Sequence, residues 1–421
     1  MTGPVWSPRE RPEWLMEVNR VGRGLGREGV QPVSFDIGSL HREASRNRGG
    51  LTDFGSDDYL EPLTRLVQAI GTEAGLHFGG ALATRDEIVN ALECRLWLAD
   101  LYRRHPEIEQ VEIGQPIFVG GMGRSGTSIV HETLAAAPDV QALATWEIRA
   151  PWIYELPPGE RDRARDDAWR AVRHSWYGLA PELEALHQMG RDMPQECAWV
   201  LNQCFTTDYF GSALLYIPAY QRWMLGADQT PSYMQHRRFL KAIQWLRGGD
   251  GKRWILKTPT HERCLETIFA VYPDAQFVWT HRDPLRALAS SMSILATLIW
   301  SRSDRILDTT VVAREALAVL PAVLERAVQF DRGVAKSRVS GVVYGAFQRA
   351  PVATLARVRT SFGLGTNDGI LAAMQRYIDS RPQHASGEHR YGQELLGLDD
   401  LREARGPLLD YQKYFSIESE W

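Results

Sequence analysis

The sequence predicts an α/β fold, a parallel sheet flanked by helices, from three observations. Short apolar runs of strand length recur, each followed by a turn and then by a segment with helical spacing of its apolar residues. One of those turns is rich in glycine. The chain has 421 residues, 44% hydrophobic and 24% charged, which is an ordinary globular composition and excludes a collagen-like or largely disordered protein. That length exceeds the size at which a single core usually stops growing, so a large α/β domain with additions, or two domains, is expected.

Residues 1–110 read as a helical N-terminal extension packed on the core. Ile88, Val89, Leu92, Leu96 and Leu98 recur at roughly helical spacing, followed by Leu101 and Tyr102. The main domain is expected over 111–421. Its first strand is Pro116-Ile117-Phe118-Val119; glycines follow, then a helix with Ile129, Val130, Thr133, Leu134 and Ala137 that stops at Pro138-Asp139. A second unit has Trp254-Ile255-Leu256-Lys257 as strand, Thr258-Pro259-Thr260 as turn, and a helix carrying Leu265, Ile268, Phe269 and Tyr272. The strand Ala275 to Thr280 comes next, and Asp283-Pro284 reads as N-cap and first residue of another helix. A fourth strand spans Val339 to Tyr344, before a helix from Pro351 to Phe362 closed by Gly363. Strands alternating with helices imply parallel pairing with helices on both faces. Two insertions, at about 146–250 (rich in Trp, Tyr and Met) and 294–335, leave the strand ends where such folds bind ligands, and so are candidates for a substrate pocket.

The net charge of −4 implies no nucleic-acid partner. Cys94, Cys197, Cys204 and Cys264 form no CxxC pair and fit no common zinc spacing, so reduced thiols and a cytoplasmic location are expected. Residues 1–8 show no signal-peptide core, and the longest apolar runs, such as Ser293 to Trp300, fall far short of the roughly 18 residues of a membrane span. Of the 48 basic residues only five are lysine (Lys241, Lys252, Lys257, Lys336, Lys413) and the rest arginine, so a position that keeps lysine draws notice.

Two stretches suit anions. Gly120-Gly121-Met122-Gly123-Arg124-Ser125-Gly126-Thr127-Ser128 joins a strand to a helix. Glycines let the backbone approach an anion, the helix start offers free N–H groups, Ser125, Thr127 and Ser128 add hydroxyls, and Arg124 adds a guanidinium fork. The stretch nearly matches a nucleotide triphosphate loop of P-loop type, but Thr127 stands where that loop needs lysine, and no acidic site for Mg²⁺ is evident; an adenine nucleotide phosphate held without metal is expected. The second is Thr280-His281-Arg282-Asp283-Pro284, with Ser290 eight residues after Arg282 on the following helix. An arginine at a strand tip and a serine two turns along a helix can meet on one phosphate; Arg282 pairing with Asp283 is the bland alternative.

Together, GxGRSGTS, Leu256-Lys257-Thr258-Pro259, and THRDP with Ser290 resemble the sulfotransferase family that uses PAPS (3′-phosphoadenosine 5′-phosphosulfate), in particular its bacterial branch, over roughly residues 114–415. The resemblance implies a P-loop-type α/β fold and a sulfotransferase that moves the sulfuryl group from PAPS to a hydroxyl or amine of a small or amphipathic acceptor, leaving PAP, the 3′,5′-bisphosphate. It assigns Gly123, Arg124, Ser125, Gly126, Thr127 and Ser128 to the 5′-phosphosulfate, Arg282 and Ser290 to the 3′-phosphate, and Tyr344 to the neighbourhood of adenine. Gly123 replaces a frequent proline and Gly345 a usual acid; Gly387-Glu388-His389-Arg390-Tyr391 resembles a closing G-x-H-x-Y segment. Lys257 is expected to act on the sulfuryl and leaving oxygens. Glu147 is the first candidate for the base that takes the acceptor's proton, with a salt bridge to Arg149 as its alternative; His261 is the second. His187 and Glu196, the latter in Asp192-Met193-Pro194-Gln195-Glu196, are pocket candidates. An ATP-dependent phosphotransferase and a non-catalytic nucleotide-binding module are the competing readings, and a homodimer is left open.

Overall fold

The computed structural model describes residues 6–249, 251–333, 337–381 and 391–421. Five parallel strands form the sheet: β1 (Ile117–Gly121), β2 (Val140–Gln141), β3 (Arg253–Lys257), β4 (Gln276–His281) and β5 (Val339–Val343), in the order β2-β3-β1-β4-β5. The central strand β1 is buried throughout, as expected of a strand covered on both faces. Its register pairs Val119 with Lys257 and Gly121 with Thr280. The glycine turn, Lys257 and the Thr280–Asp283 segment therefore leave the sheet at one edge, the carboxyl end of the strands.

Before the sheet lie α1 (Glu13–Arg27), α2 (Ile37–Asn47), α3 (Leu60–Ala69) and α4 (Phe78–Arg104); after β1 comes α5 (Thr127–Ala135). The first insertion holds α6 (Thr145–Arg149), α7 (Pro158–Arg173), α8 (Leu183–Leu186), α9 (Ala198–Leu201), α10 (Pro218–Gly226) and α11 (Thr230–Leu246). The remainder is α12 (Leu265–Val271), α13 (Pro284–Arg302), α14 (Thr309–Gly333), α15 (Tyr344–Arg349), α16 (Pro351–Ser361), α17 (Asp368–Asp379), α18 (Leu401–Arg405) and α19 (Leu409–Phe415). Ile117, Val119, Ile255 and Val278 pack one sheet face on α5, α16 and α17 through Val130, Leu355 and Met374. Phe118, Leu256 and Phe277 pack the other face on α11 to α14 through Phe239, Ile268, Leu288 and Leu324. No helix among the described residues is long and apolar enough to cross a membrane.

Three departures from the sequence reading have physical reasons. Val140–Gln141, assigned to no element from the sequence, is an edge strand two residues long, too short to show a period. Tyr344 opens α15 rather than ending β5, because the chain turns into a helix with no intervening loop residue. Helix α4 shows no single apolar stripe because it serves two cores: Trp97, Leu98 and Leu101 join the sheet core, while Ile88, Leu92 and Leu96 join a helical one with Trp176, Phe205 and Phe210.

The contact that ties the N-terminal helices to the α/β core is close. Gly80 on α4 lies against the last residue of α13, and a Cβ there would stand 1.8 Å from the Arg302 carbonyl oxygen. The same carbonyl accepts a bond of 3.1 Å from His77 N–H, and the buried Arg302 guanidinium meets Glu87 at 2.7 Å. Backbone cannot yield there as a side chain would. Gly80→Ala should cost about 3 kcal/mol by overpacking, whereas Gly24→Ala, in open space, should be neutral or slightly stabilising; urea unfolding of both variants checks this.

Candidate active site

The glycine turn is built for an anion. Arg124 and Gly126 adopt positive φ, 69° and 92°, so successive N–H groups turn toward the helix start. The first intrahelical bond of α5 runs from Val130 N–H to Gly126 O at 3.1 Å, which leaves the N–H groups of Thr127, Ser128 and Ile129 ahead of the helical ladder. Gly126 has a second reason to be glycine: a Cβ would stand 2.6 Å from the Tyr344 ring. Ser125 differs from expectation. Its N–H bonds Met122 O at 3.1 Å, and its hydroxyl bonds Met122 O and Thr280 Oγ1, both at 2.6 Å. The Ser125 hydroxyl thus braces the loop on β4 instead of offering a donor to a ligand.

Three cations border the loop. Arg124 Nε donates to Ser290 Oγ at 3.0 Å and its Nη1 to Leu186 O at 2.9 Å. Burial, and then the like charge of Arg282, push the Arg124 guanidinium below its ordinary value, so added negative charge is favoured there. Arg282 donates Nη1 to the Arg124 carbonyl at 3.0 Å and lies 4.5 Å from the Tyr344 ring centre. Arg282 does not pair with Asp283; Glu420 holds it, at 2.7 Å on both Nε and Nη2. Asp283 instead caps α13 by accepting from Leu285 N–H at 3.0 Å and takes Arg405 at 3.1 Å. Lys257, 2% exposed, donates to Ser128 Oγ at 2.9 Å and to the Glu196 carboxylate. The loop, Lys257, Arg282, Ser290 and Tyr344, distant in sequence, are thereby brought together. Of the closing G-x-H-x-Y segment, Gly387 to Arg390 lie outside the described residues; Tyr391 hydroxyl is 3.4 Å from Arg282 Nη2.

Glu196 and His187 acquire partners that spacing did not reveal. Cys197 N–H donates to Lys257 O at 2.7 Å, which seats the Pro194–Glu196 segment on the end of β3. Burial pushes the Glu196 carboxyl up, but the positive charge of Lys257 and the hydrogen bond it donates outweigh that and hold the group below its usual value. His187 Nε2 is 3.9 Å from Glu196 Oε1, and burial lowers the imidazole to about 4, so it is neutral at pH 7. Trp176 stacks on Trp199 at 5.7 Å and flanks His187 at 5.9 Å, so the imidazole is backed by the helical core.

Both leading base candidates are corrected. Glu147 is 1% exposed and spends both oxygens on structure: Oε2 accepts from Ala144 N–H at 2.7 Å and Arg247 at 2.5 Å, while Oε1 accepts from Arg247 at 2.9 Å and from the Tyr154 hydroxyl. Its partner is Arg247, not Arg149, which pairs with Asp86 at 2.6 Å. His261 is fully buried, its Nδ1 shares a proton with Tyr233 hydroxyl at 2.7 Å, its ring lies edge-on to Phe118, and burial holds it well below its usual value. It is a core histidine.

Comparison with known proteins now bears on this geometry. A model described as "Sulfotransferase family" matches residues 116–368. The chain belongs to the sulfotransferase family. It is 22% identical over 338 residues to omega-hydroxy-beta-dihydromenaquinone-9 sulfotransferase Stf3 of Mycobacterium bovis and of Mycobacterium tuberculosis, covering 76% of this chain and 80% of the relative. It superposes on sulfotransferase STF1 from Mycobacterium tuberculosis with TM-score 0.73 and 29% identity, over 92% of this chain and 100% of that one. Sulfotransferase STF9 from Mycobacterium avium matches in fold, with TM-score 0.76 and 24% identity over 92% and 98% of the two chains. The protein is accordingly an enzyme of sulfuryl transfer, and PAPS is the donor generally used in its family.

Two stability predictions follow for this sulfotransferase. Arg247→Ala strands the buried Glu147 carboxylate and should cost about 3 kcal/mol, more than Glu147→Gln with Arg247 intact, by denaturant unfolding. Glu262, next to His261, is pushed up to about 7 by burial despite a hydrogen bond from Trp279. A carboxyl raised in the folded state binds its proton more tightly there, so its stability contribution is full below its unfolded value and is lost as pH rises through about 7. Glu262→Gln should therefore raise the melting temperature at pH 8 and leave it nearly unchanged at about pH 4.

Proposed function

We propose that this sulfotransferase moves the sulfuryl group of PAPS to a hydroxyl, or an amine, of a small or amphipathic acceptor in the cytoplasm, releasing PAP. The carrying observation is the meeting of Lys257 with Ser128 at the mouth of the anion loop, beside Arg124 and Arg282. The relative Stf3 is named for a hydroxylated menaquinone derivative, which supports an amphipathic acceptor. The cysteines Cys94, Cys197, Cys204 and Cys264 are unbridged, in keeping with a reducing compartment.

The donor supplies an activated sulfuryl group whose bridging oxygen leaves with the 5′-phosphate. In this reading the N–H groups at the start of α5 and Arg124 take the phosphosulfate, and Arg282 with Ser290 the 3′-phosphate. The same reading gives the adenosine side to Tyr344, whose ring lies beside Gly126 and Arg282. Lys257 carries positive charge to where the leaving oxygen becomes negative, the contribution a triphosphate loop takes from the lysine that Thr127 replaces here. The acceptor's proton needs a recipient, and the role that Glu147 and His261 cannot take falls to Glu196. Its carboxylate is ionised, partly open to solvent, and held on Lys257.

The deciding measurement is calorimetric binding of PAP and of ATP to the full chain. PAP should bind more tightly, and Arg282→Ala should weaken PAP by about tenfold or more. Preference for ATP, or no effect of Arg282→Ala, overturns the reading. With labelled PAPS and a set of hydroxylated lipids and phenols, Lys257→Ala should lower kcat by roughly 10²–10³-fold while PAP affinity falls far less. Glu196→Gln should lower kcat by about 10²-fold, less for an acidic phenol than for an aliphatic alcohol, because the phenol is already ionised.

A further inference from the structure

Glu420 stands in the place that the 3′-phosphate is proposed to take. After α19 the chain reverses at Ser416, with φ of 56°, and runs back over the start of α13. Main-chain and neighbouring side-chain bonds fix it there. Glu420 N–H donates to Asp283 Oδ2 at 2.7 Å, Arg405 Nη2 to Trp421 O at 3.4 Å, and Gln412 Nε2 to Ser419 Oγ at 3.3 Å; Arg286 lies 4.7 Å from the Trp421 ring. The Glu420 carboxylate then meets the Nε/Nη2 edge of Arg282 side by side, both bonds 2.7 Å, with Arg286 Nε at 3.7 Å.

That edge is the one on which a guanidinium grips a phosphate through two parallel bonds. The third nitrogen, Nη1, is already committed to Arg124 O at 3.0 Å. A phosphate and the Glu420 carboxylate cannot both occupy one edge, because two anions against one cation repel each other and share the same donors. Neither does the tail need the carboxylate to stay in place, since its anchors are the main chain and Trp421. The side chain is 32% exposed, so water takes over its charge readily when it swings off, and a pair so exposed is worth little.

We propose that Glu420 is an internal, exchangeable occupant of the 3′-phosphate position: it keeps Arg282 paired while the position is empty, yields to the 3′-phosphate of the donor, and returns as PAP departs. The proposal rests on Arg282 being the 3′-phosphate residue. It makes PAP bind more weakly than the cations alone would allow, which favours product release, and it acts only on ligands that carry a 3′-phosphate.

The test is calorimetry on the full chain with PAP and with adenosine 5′-monophosphate, which lacks the 3′-phosphate. Glu420→Gln should tighten PAP by about three- to fivefold and change the monophosphate by less than about 1.5-fold. Unchanged or weaker PAP binding in Glu420→Gln overturns the proposal, weaker binding showing that Glu420 instead orients Arg282. Equal tightening of both nucleotides overturns it too, since the effect would then be general charge. Arg282→Ala separates the two levels: if it leaves PAP affinity intact, the 3′-phosphate assignment itself fails; if it weakens PAP while Glu420→Gln does not tighten it, only the occupant role fails.

Discussion

The arrangement turns on a concentration of like charge. Arg124, Lys257 and Arg282 border one loop, largely removed from water, and each would repel the others if left unpaired. The chain answers each one separately: Glu196 and Ser128 on Lys257, Glu420 on Arg282, Ser290 and the Leu186 carbonyl on Arg124. These partners are of two kinds. Neutral oxygens hold a side chain in place and can remain when an anion binds. Carboxylates compete with an anion and must give way or change role. The division bears directly on the chemistry proposed, because the two carboxylates are the ones assigned to proton transfer and to exchange at the 3′-phosphate.

The fold makes this concentration affordable by spending structure elsewhere. Parallel strands put the glycine turn, Lys257 and Arg282 at one edge without any long-range adjustment. The first insertion returns to that edge through Cys197 N–H on Lys257 O and delivers Glu196 to the lysine. Glu147, buried on Arg247, then holds the start of α6 so that Leu143 and Ala144 can pair with Gln195 and Pro194. A residue that resembles a catalytic base by position is thus a brace for the segment that carries the better candidate.

Membership of the sulfotransferase family and the departures within this chain are compatible for a physical reason. An anion loop works through main-chain N–H groups and a helix start, which tolerate Gly123 and the inward-turned Ser125 hydroxyl. A point charge is less replaceable. With Thr127 at the triphosphate-loop lysine position, the proposed source of the cation is the neighbouring strand, where Lys257, among the described residues, is buried against the loop.

What the sequence determined by itself was local. The strand–turn–helix units, the glycine turn and the THRDP helix start were legible because hydrogen bonding and apolar period act within a few residues, and Asp283-Pro284 capped its helix where the rules of helix starts place it. The partners of the charged groups were decided by the tertiary structure. Glu196 reaches Lys257 across 61 residues, Arg247 reaches Glu147 across 100, and Glu420 reaches Arg282 across 138. No periodicity or motif carries that information, because an ion pair depends on where two surfaces meet and not on what lies beside either residue. Hence the nearest opposite charges, Arg149 for Glu147 and Asp283 for Arg282, were the natural guesses and were not the partners. The same physics sent His261 inward: a histidine after a proline turn can face a cleft or a core, and only the packing of Phe118 and Tyr233 chose the core.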